Sequence, residues 1–143
     1  MSLLVKDVMS QNVITLDCSA SVKQAAEFMD KYDIGCLIVV KERKPAGIVT
    51  ERDMLRRVLL RFRDPENTSI SEIMSTPLIS SNPQTSLSEA MRMMNERRIK
   101  RLPVVEEDAV IGLLSMTDIV RSVAFLEHMA NSLCARCKWN KSG

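Results

Sequence analysis

Two short polar motifs contain the residue types that bind a sugar and a phosphate. Thr50 is followed three residues later by Asp53, and Ser115 is followed at the same spacing by Asp118. Each motif lies between an apolar run typical of a strand and a helical pattern, so it should open a helix. Free amides at a helix start favour anionic oxygens, whereas a carboxylate repels phosphate and accepts hydrogen bonds from vicinal hydroxyls. A ribose can donate its hydroxyls to the aspartate while a phosphate binds a nearby cation. A ligand that contains both a ribose and a phosphate is a nucleotide.

A purely structural interpretation of each motif competes with this one. Threonine or serine at the N-cap and aspartate three residues later stabilise a helix start by about 0.5–2 kcal/mol without any ligand. For one motif alone, capping is the better interpretation. Two motifs at equivalent positions of a repeated unit, both opening onto the cleft between the copies, favour a binding site.

Cations and apolar residues near the motifs are suited to the rest of a nucleotide. Arg52 lies inside the first motif, and Lys100 and Arg101 precede an apolar strand in the second half of the chain. The equivalent residues of the first half, Gly35 and Cys36, supply no positive charge, so the two clefts need not be equally occupied. The apolar residues that could enclose a purine are Ile14, Ile34, Ile79 and Ile99.

An internal repeat organises the elements that hold these residues. Gly47 aligns with Gly112 and Asp53 with Asp118 at one offset of 65 positions, and the match runs without gaps. Each copy predicts the element order β-α-β-β-α. The predicted strands are residues 13–16, 36–40 and 47–50 in the first copy and 78–80, 102–105 and 112–115 in the second.

The first helix of each copy is predicted from a capping box and an apolar stripe. Ser21-x-x-Gln24 and Ser86-x-x-Glu89 match the box. The stripes comprise Val22, Ala25, Ala26 and Met29 in the first copy and Leu87, Ala90, Met91 and Met94 in the second. We therefore interpret the methionines of the stripes as core residues.

These elements predict an α/β (α+β) fold of two repeats packed sheet to sheet about a pseudo-twofold axis, with a cleft on each side of their contact. Residues 1–64 form the first repeat and the start of a polar linker, which spans residues 61–69, and residues 65–127 form the second repeat. Residues 128–143 form a basic tail with a C-x-x-C knuckle.

Length and composition exclude several classes of protein. The chain has 143 residues, of which 45% are apolar and 27% charged, with a net charge of +2. It is too short for a (β/α)₈ barrel of roughly 250 residues. The nearly neutral body is not typical of a nucleic-acid surface, and no apolar run is long enough to span a membrane. One histidine and the lack of a Gly-rich phosphate loop make an enzyme the least favoured class, so we expect a cytoplasmic, non-catalytic protein.

The repeated order, the paired Gly-φ-φ-(Thr/Ser)-x-x-Asp motifs and the run from Lys100 to Val105 resemble the tandem cystathionine-β-synthase (CBS) domain pair, the Bateman module, over residues 3–127. The resemblance implies that the aspartates hold ribose and that Thr50 and Ser115 hold a phosphate or ribose oxygen. It also implies that the residues around the first strand of each copy present backbone groups to adenine. The complete predicted set is Thr15, Ile34, Thr50, Arg52, Asp53, Ser80, Ile99, Lys100, Arg101, Pro103, Ser115 and Asp118.

The resemblance also predicts the ligand and the partners. We expect AMP, ADP or ATP as the regulatory ligand. S-adenosylmethionine is a lesser candidate, because its cation would be repelled by Lys100 and Arg101. The resemblance further implies a homodimer formed through helices and a separate regulated protein that the sequence does not identify.

The tail leaves several alternatives open. Cys134-x-x-Cys137 supplies two zinc ligands, with His128 as a candidate third. A half zinc ribbon completed by another chain, a metal shared within a dimer and a disordered end all remain open, and the metal-free interpretation is favoured. The basic tail with Trp139 also motivates a different function, a regulator that contacts nucleic acid. A third alternative for the function of the whole chain is an oligomerisation scaffold whose two clefts bind no ligand.

Overall fold

The computed structural model describes the backbone of residues 3–141 and the side chains of residues 3–133. The first half contains α1 (Val5–Val8), β1 (Thr15–Asp17), α2 (Val22–Tyr32), β2 (Cys36–Lys41), β3 (Lys44–Thr50) and α3 (Glu51–Asp53), which continues as a π-helix (Met54–Leu59). The second half contains a 3₁₀ helix (Ile70–Glu72), α4 (Leu87–Arg97), β4 (Arg101–Glu106), β5 (Ala109–Ser115) and α5 (Met116–Lys141).

The two repeats differ in their first strand. In the first repeat β1 pairs in parallel with β2, which pairs antiparallel with β3. In the second repeat only β4 and β5 form a sheet, so the predicted strand at residues 78–80 is wrong. A single parallel bridge joins Ser81 to Val104 there.

Two prolines explain why the second repeat lacks this strand. In the first repeat the amide of Ile38 donates to Ile14 O at 3.0 Å and the amide of Cys18 donates to Val40 O at 2.9 Å. The equivalent positions of the second repeat are Pro103 and Pro83, and proline has no N–H to donate. Both flanking ladder bonds are therefore impossible, and only the bridge between them remains.

The capping boxes start α2 and α4, but only the first box is complete. Ser21 Oγ accepts from the Gln24 amide at 3.1 Å, and the Ser21 amide donates to Gln24 Oε1 at 2.9 Å. Ser86 Oγ likewise accepts from the Glu89 amide at 3.1 Å. The Glu89 carboxylate pairs with Arg92 instead of returning to Ser86, so the prediction of a second reciprocal box is wrong.

The stripes of α2 and α4 are narrower than predicted. Val22, Ala25 and Met29 are buried in the first core, together with Leu37, Val39 and Val49 of the sheet. Leu87, Ala90 and Met94 are buried in the second core, together with Leu102, Val104 and Leu114. Ala26 and Met91 are exposed, so Ala26 is not part of the buried stripe and the assignment of Met91 to the core is wrong. A helix that packs on one side of a small sheet buries only one row of residues at its contact face.

The segment that begins each repeat completes the core of the other repeat. Ile70 and Ile73 are fully buried in the first core, and Val5 is fully buried in the second. The first core thus extends beyond the predicted boundary at residue 64, and the second core recruits the start of the chain. Isolated bridges secure both segments and obey the repeat offset, with Leu4–Ser86 and Ser10–Leu113 on one side and Ser69–Ser21 and Ser75–Ile48 on the other.

The predicted linker at residues 61–69 packs on α2. The amide of Val22 donates to Thr68 O at 2.9 Å, and the amide of Lys23 donates to Pro65 O at 3.0 Å. These bonds satisfy two of the amides that a helix start leaves free. Further along the chain, α5 is continuous across the predicted tail boundary at residue 128. Among the described helices, none combines the length and apolar character needed to cross a bilayer.

Candidate functional site

Two clefts open between the repeats, and each is built from both of them. The cavity that contains Ser115 and Asp118, here called the Asp118 cleft, has a volume of about 690 Å³. The cavity that contains Thr50 and Asp53, here called the Asp53 cleft, has a volume of about 480 Å³. Both volumes lie in the range of ordinary small-molecule sites.

Asp53 is held in the Asp53 cleft by a complete capping box. Its Oδ2 accepts from the Thr50 amide at 2.9 Å and from Thr50 Oγ1 at 3.1 Å, while its own amide donates to Thr50 Oγ1 at 3.2 Å. The other carboxylate oxygen, Oδ1, lies 3.8 Å from Nε of Arg57. The residue is only 9% exposed, so the carboxylate is fixed in one direction by the backbone that carries it. One oxygen is engaged in capping, and the second has only a distant cation.

Asp118 repeats this geometry in a looser form. Its Oδ2 accepts from the Ser115 amide at 3.3 Å, and its amide donates to Ser115 Oγ at 3.0 Å. Capping therefore takes place at both motifs, as the structural interpretation requires. It engages only Oδ2 of each aspartate and leaves Oδ1 outside the capping bonds.

Each cleft joins the polar motif of one repeat to the apolar residues of the other. Ile14 and Ile34 of the first repeat line the Asp118 cleft. Ile79, Ile99 and Pro103 of the second repeat line the Asp53 cleft. A ligand that touched the aspartate and the isoleucines at once would bridge the two repeats.

The clefts differ in charge. The Asp53 cleft is lined by five cations, Arg52, Arg56, Arg98, Lys100 and Arg101, and by two acids, Glu51 and Asp53. The Asp118 cleft is lined by two cations, Arg101 and Arg121, and by two acids, Asp33 and Asp118. The excess of cations in the Asp53 cleft suits a ligand with several negative charges.

Cys36 is a buried residue close to two charged residues of the Asp53 cleft, Arg101 and Glu51. Burial raises the pKa of the Cys36 thiol above its ordinary value, the positive charge of Arg101 acts in the opposite sense, and Glu51 raises it further. The thiol is therefore kept neutral and behaves as a small apolar side chain.

Ten of the twelve predicted binding residues line a cleft, and Thr15 and Ser80 do not. Thr15 is exposed in β1, where side chains alternate between faces, and its neighbour Ile14 lines the Asp118 cleft instead. Ser80 lies in the segment that lacks a strand, and Ile79 lines the Asp53 cleft. Ile14 and Ile79 are two of the four isoleucines expected to enclose a purine, and the expected backbone contacts of Thr15 and Ser80 with adenine stay a prediction.

Sequence reasoning missed two arginines that line the clefts. Arg56 follows Asp53 by three residues, and Arg121 follows Asp118 at the same spacing. Residues three apart share one face of a helix, so the repeated Asp-x-x-Arg pattern was the signal that could have found them. Arg98, the left-handed C-cap of α4 with a φ of 55°, also lines the Asp53 cleft.

The predicted tail ligands Cys134 and Cys137 have side chains outside the described residues. Within the part of the chain whose side chains are described, no group of three or more His, Cys, Asp or Glu residues could hold a metal ion. The zinc and nucleic-acid alternatives for the tail stay predictions.

Comparisons with a family model, with related proteins and with solved structures all find proteins that contain CBS domains. A family model described as CBS domain matches the chain twice, over residues 5–60 and 70–124. The CBS domain-containing protein YhcV of Bacillus subtilis is 35% identical over 115 residues, which cover 80% of this chain and 81% of that protein. The mitochondrial CBS domain-containing protein CBSX3 of Arabidopsis thaliana is 36% identical over 108 residues, covering 72% of this chain and 52% of the relative. Among solved structures, the hexameric CBS-CP12 protein from bloom-forming cyanobacteria superposes with a TM-score of 0.82 and 33% identity, covering 89% of this chain and 75% of that one.

Proposed function

This chain belongs to the CBS domain family, as a tandem pair of such domains, and from that membership we propose that it is a regulatory module that binds adenine nucleotides in its two clefts. In this proposal the module regulates another protein and is not itself catalytic. The observation that carries the proposal is the construction of each cleft from the capping aspartate of one repeat and the isoleucines of the other.

The arrangement offers one group to each part of a nucleotide. The isoleucines of the clefts provide apolar faces for a purine. Each aspartate retains one oxygen outside its capping bonds, and that oxygen can accept from a ribose hydroxyl. Lys100 and Arg52 are positioned for the phosphates in the Asp53 cleft, and Arg121 is positioned for them in the Asp118 cleft. AMP, ADP and ATP satisfy these groups, whereas the sulfonium of S-adenosylmethionine meets an excess of cations in the Asp53 cleft.

Regulation follows from the position of the ligand across the seam. A ligand shifts the protein between two arrangements only by the difference in its affinity for them. A nucleotide that contacts both repeats favours the arrangement in which they are closest, and the regulated partner would sense that change.

Calorimetric titration with AMP, ADP, ATP and S-adenosylmethionine tests the proposal. The wild type is compared with a variant carrying Asp53→Asn and Asp118→Asn, because asparagine keeps an acceptor oxygen for the cap and removes the charge. Loss of a charged hydrogen bond of about 1.5–3 kcal/mol predicts affinity lower by roughly 10-fold to 150-fold at each cleft. Asp30→Asn, an exposed residue of α2 that lines neither cleft, is the matched control and should bind as the wild type does. Absence of nucleotide binding, or binding unchanged by the double substitution, would overturn the proposal.

We also infer that the protein forms a homodimer through the π-helix and α5. These two equivalent helices carry large apolar residues on the surface, among them Leu55, Leu59, Val120, Val123 and Leu126, and the exposed Leu60 directly follows the π-helix. A protomer that presents two related apolar helices can pair with a second copy about a twofold axis, because each helix then meets a partner of the same character. The hexameric state of the cyanobacterial CBS-CP12 protein is consistent with self-association in this family.

A further inference from the structure

Arg101 occupies a unique position among the described residues, since it lines both clefts. Its chain position is the start of β4, and the repeat offset pairs it with Cys36 at the start of β2. Cys36 is buried and its thiol is neutral, so the first repeat supplies no matching cation. Two clefts therefore share one guanidinium at their seam.

A β-carbon built on Gly35, which lines the Asp118 cleft, would lie 3.6 Å from Cδ of Glu51, which lines the Asp53 cleft. The guanidinium of Arg101 lies at this same boundary between the clefts. It covers Gly35, so closely that a β-carbon built on this glycine would overlap Nη2 and would lie 3.1 Å from Cζ. Gly35 lines the Asp118 cleft, whereas Lys100, at the equivalent position of the second repeat, lines the Asp53 cleft. The lack of a side chain at Gly35 leaves the space that the guanidinium uses.

We propose that Arg101 couples the two clefts negatively: a phosphate bound in one cleft recruits the guanidinium and weakens the binding of a phosphate in the other. This inference rests on the proposed nucleotide-binding function. A guanidinium binds phosphate best through the two parallel N–H donors of one edge, and it carries a single positive charge. When that edge is turned into one cleft it is turned away from the other, so a phosphate in one cleft draws the guanidinium from the other. The coupling is reciprocal, because each ligand must change the affinity of the other by the same factor.

The charge distribution makes the coupling measurable. Among the residues whose side chains are described, the Asp118 cleft has only Arg121 as a second cation, whereas the Asp53 cleft has four more, Arg52, Arg56, Arg98 and Lys100. AMP should therefore fill the Asp53 cleft first. Filling of the Asp118 cleft should then be shifted to a higher concentration of AMP.

The test is an NMR titration of the ¹⁵N-labelled full chain with AMP. The Thr50 amide, bonded to Asp53, reports on the Asp53 cleft, and the Ser115 amide, bonded to Asp118, reports on the Asp118 cleft. The wild type is compared with a variant in which Asp53→Asn and Lys100→Ser weaken the Asp53 cleft alone. The Ser115 midpoint should fall by about fivefold or more in this variant, because Arg101 stays with the Asp118 cleft. Should the double variant fail to fold, Lys100→Ser alone changes an exposed side chain and tests the same shift.

Two controls separate this mechanism from indirect effects. In an Arg101→Ser background the same pair of substitutions should leave the Ser115 midpoint unchanged. Titration with adenosine, which has no phosphate to compete for the guanidinium, should give equal Ser115 midpoints in the wild type and the variant. An equal AMP midpoint at Ser115 in both proteins, with both reporters responding, overturns the coupling and leaves nucleotide binding intact. No response at either reporter in the wild type overturns the proposed function itself, and the coupling with it.

Discussion

The guanidinium of Arg101 fills the space beside Gly35 that a β-carbon would occupy, with Cζ 3.1 Å from that position. Gly47 is also without room for a side chain, but for a different reason. A β-carbon there would lie 2.6 Å from the backbone oxygen of Ser75 and 2.8 Å from Sδ of Met74. The neighbour of Gly35 is the far end of a flexible side chain, whereas the neighbour of Gly47 is backbone that a bridge to Ile48 holds in place.

Substitution of these two glycines should therefore have unequal effects on stability. We expect Gly47→Ala to lower the free energy of unfolding by about 1–3 kcal/mol, because overpacking must displace the Ser75 segment. Gly35→Ala should stay within about 1 kcal/mol of the wild type, since Arg101 can turn away and alanine reduces the entropy of the unfolded chain. Urea unfolding followed by circular dichroism measures both. Equal losses for the two variants would show that the guanidinium of Arg101 is as rigid as the Ser75 backbone.

Much of the fold could be predicted from the repeat alone, because the offset that aligns Asp53 with Asp118 also aligns strands, caps and helices. The missing strand of the second repeat was in principle predictable as well. Pro83 and Pro103 stand at the two positions whose amides complete the ladder of the first repeat. The local pattern predicted a strand at residues 78–80 from its apolar residues alone. It did not test whether the backbone amides needed for the ladder hydrogen bonds were present.

The exchange of Val5 and Ile70 between the cores was not predictable in this way. Helical and strand periodicity report which residues are buried within an element, but they carry no information on which distant surface buries them. The same limit applies to the candidate site. The types and spacing of Thr50 and Asp53 predicted a cap and a carboxylate, while their position opposite Ile99 and Lys100 depends on the packing of the repeats.

The exchanged segments yield a prediction about where a mutation is felt. Ile70→Val removes one methylene from the first core and should lower the free energy of unfolding by about 0.5–1.5 kcal/mol. Although residue 70 belongs to the second repeat by sequence, methyl and amide NMR shifts should change around Leu37 and Val39 of β2. Changes centred instead on Leu102 and Val104 would contradict the exchange.

The linker should make stability depend on pH through Glu72. Its carboxylate accepts from the Ser69 amide at 2.7 Å and from Arg63 Nη2 at 2.7 Å, and these bonds, that from Ser69 foremost, lower the pKa of Glu72 below its ordinary value of 4.5. A carboxyl whose pKa is lower in the folded state contributes stability above its unfolded pKa and loses that contribution as the pH falls through the folded value.

Glu72→Gln should therefore be less stable than the wild type at pH 7, and the difference should shrink as the pH falls below about 4.5. Urea midpoints measured between pH 7 and pH 3 give the comparison. Glu106→Gln is the matched control, because this exposed carboxylate makes no ion pair within the described part of the chain, and its difference from the wild type should be small throughout. A Glu72→Gln difference that is constant with pH would exclude ionisation of Glu72 as its cause.

Self-association should depend on the apolar helix face and not on surface hydrophobicity in general. Leu59 in the π-helix is 65% exposed and Leu126 in α5 is 49% exposed, although burial of each leucine would contribute about 2 kcal/mol. In a homodimer formed through these helices, Leu59→Glu or Leu126→Glu loses that contribution and places a charge in the interface, so the dimer dissociation constant should rise about thirtyfold or more. Analytical ultracentrifugation across a range of protein concentrations measures the constant.

Met91→Glu provides the matched control, since Met91 is 40% exposed on α4, a helix outside the proposed interface, and its dimer should be as stable as that of the wild type. Equal weakening by all three substitutions would point to a different or non-specific contact, and a monomeric wild type would remove the homodimer from the proposed function altogether.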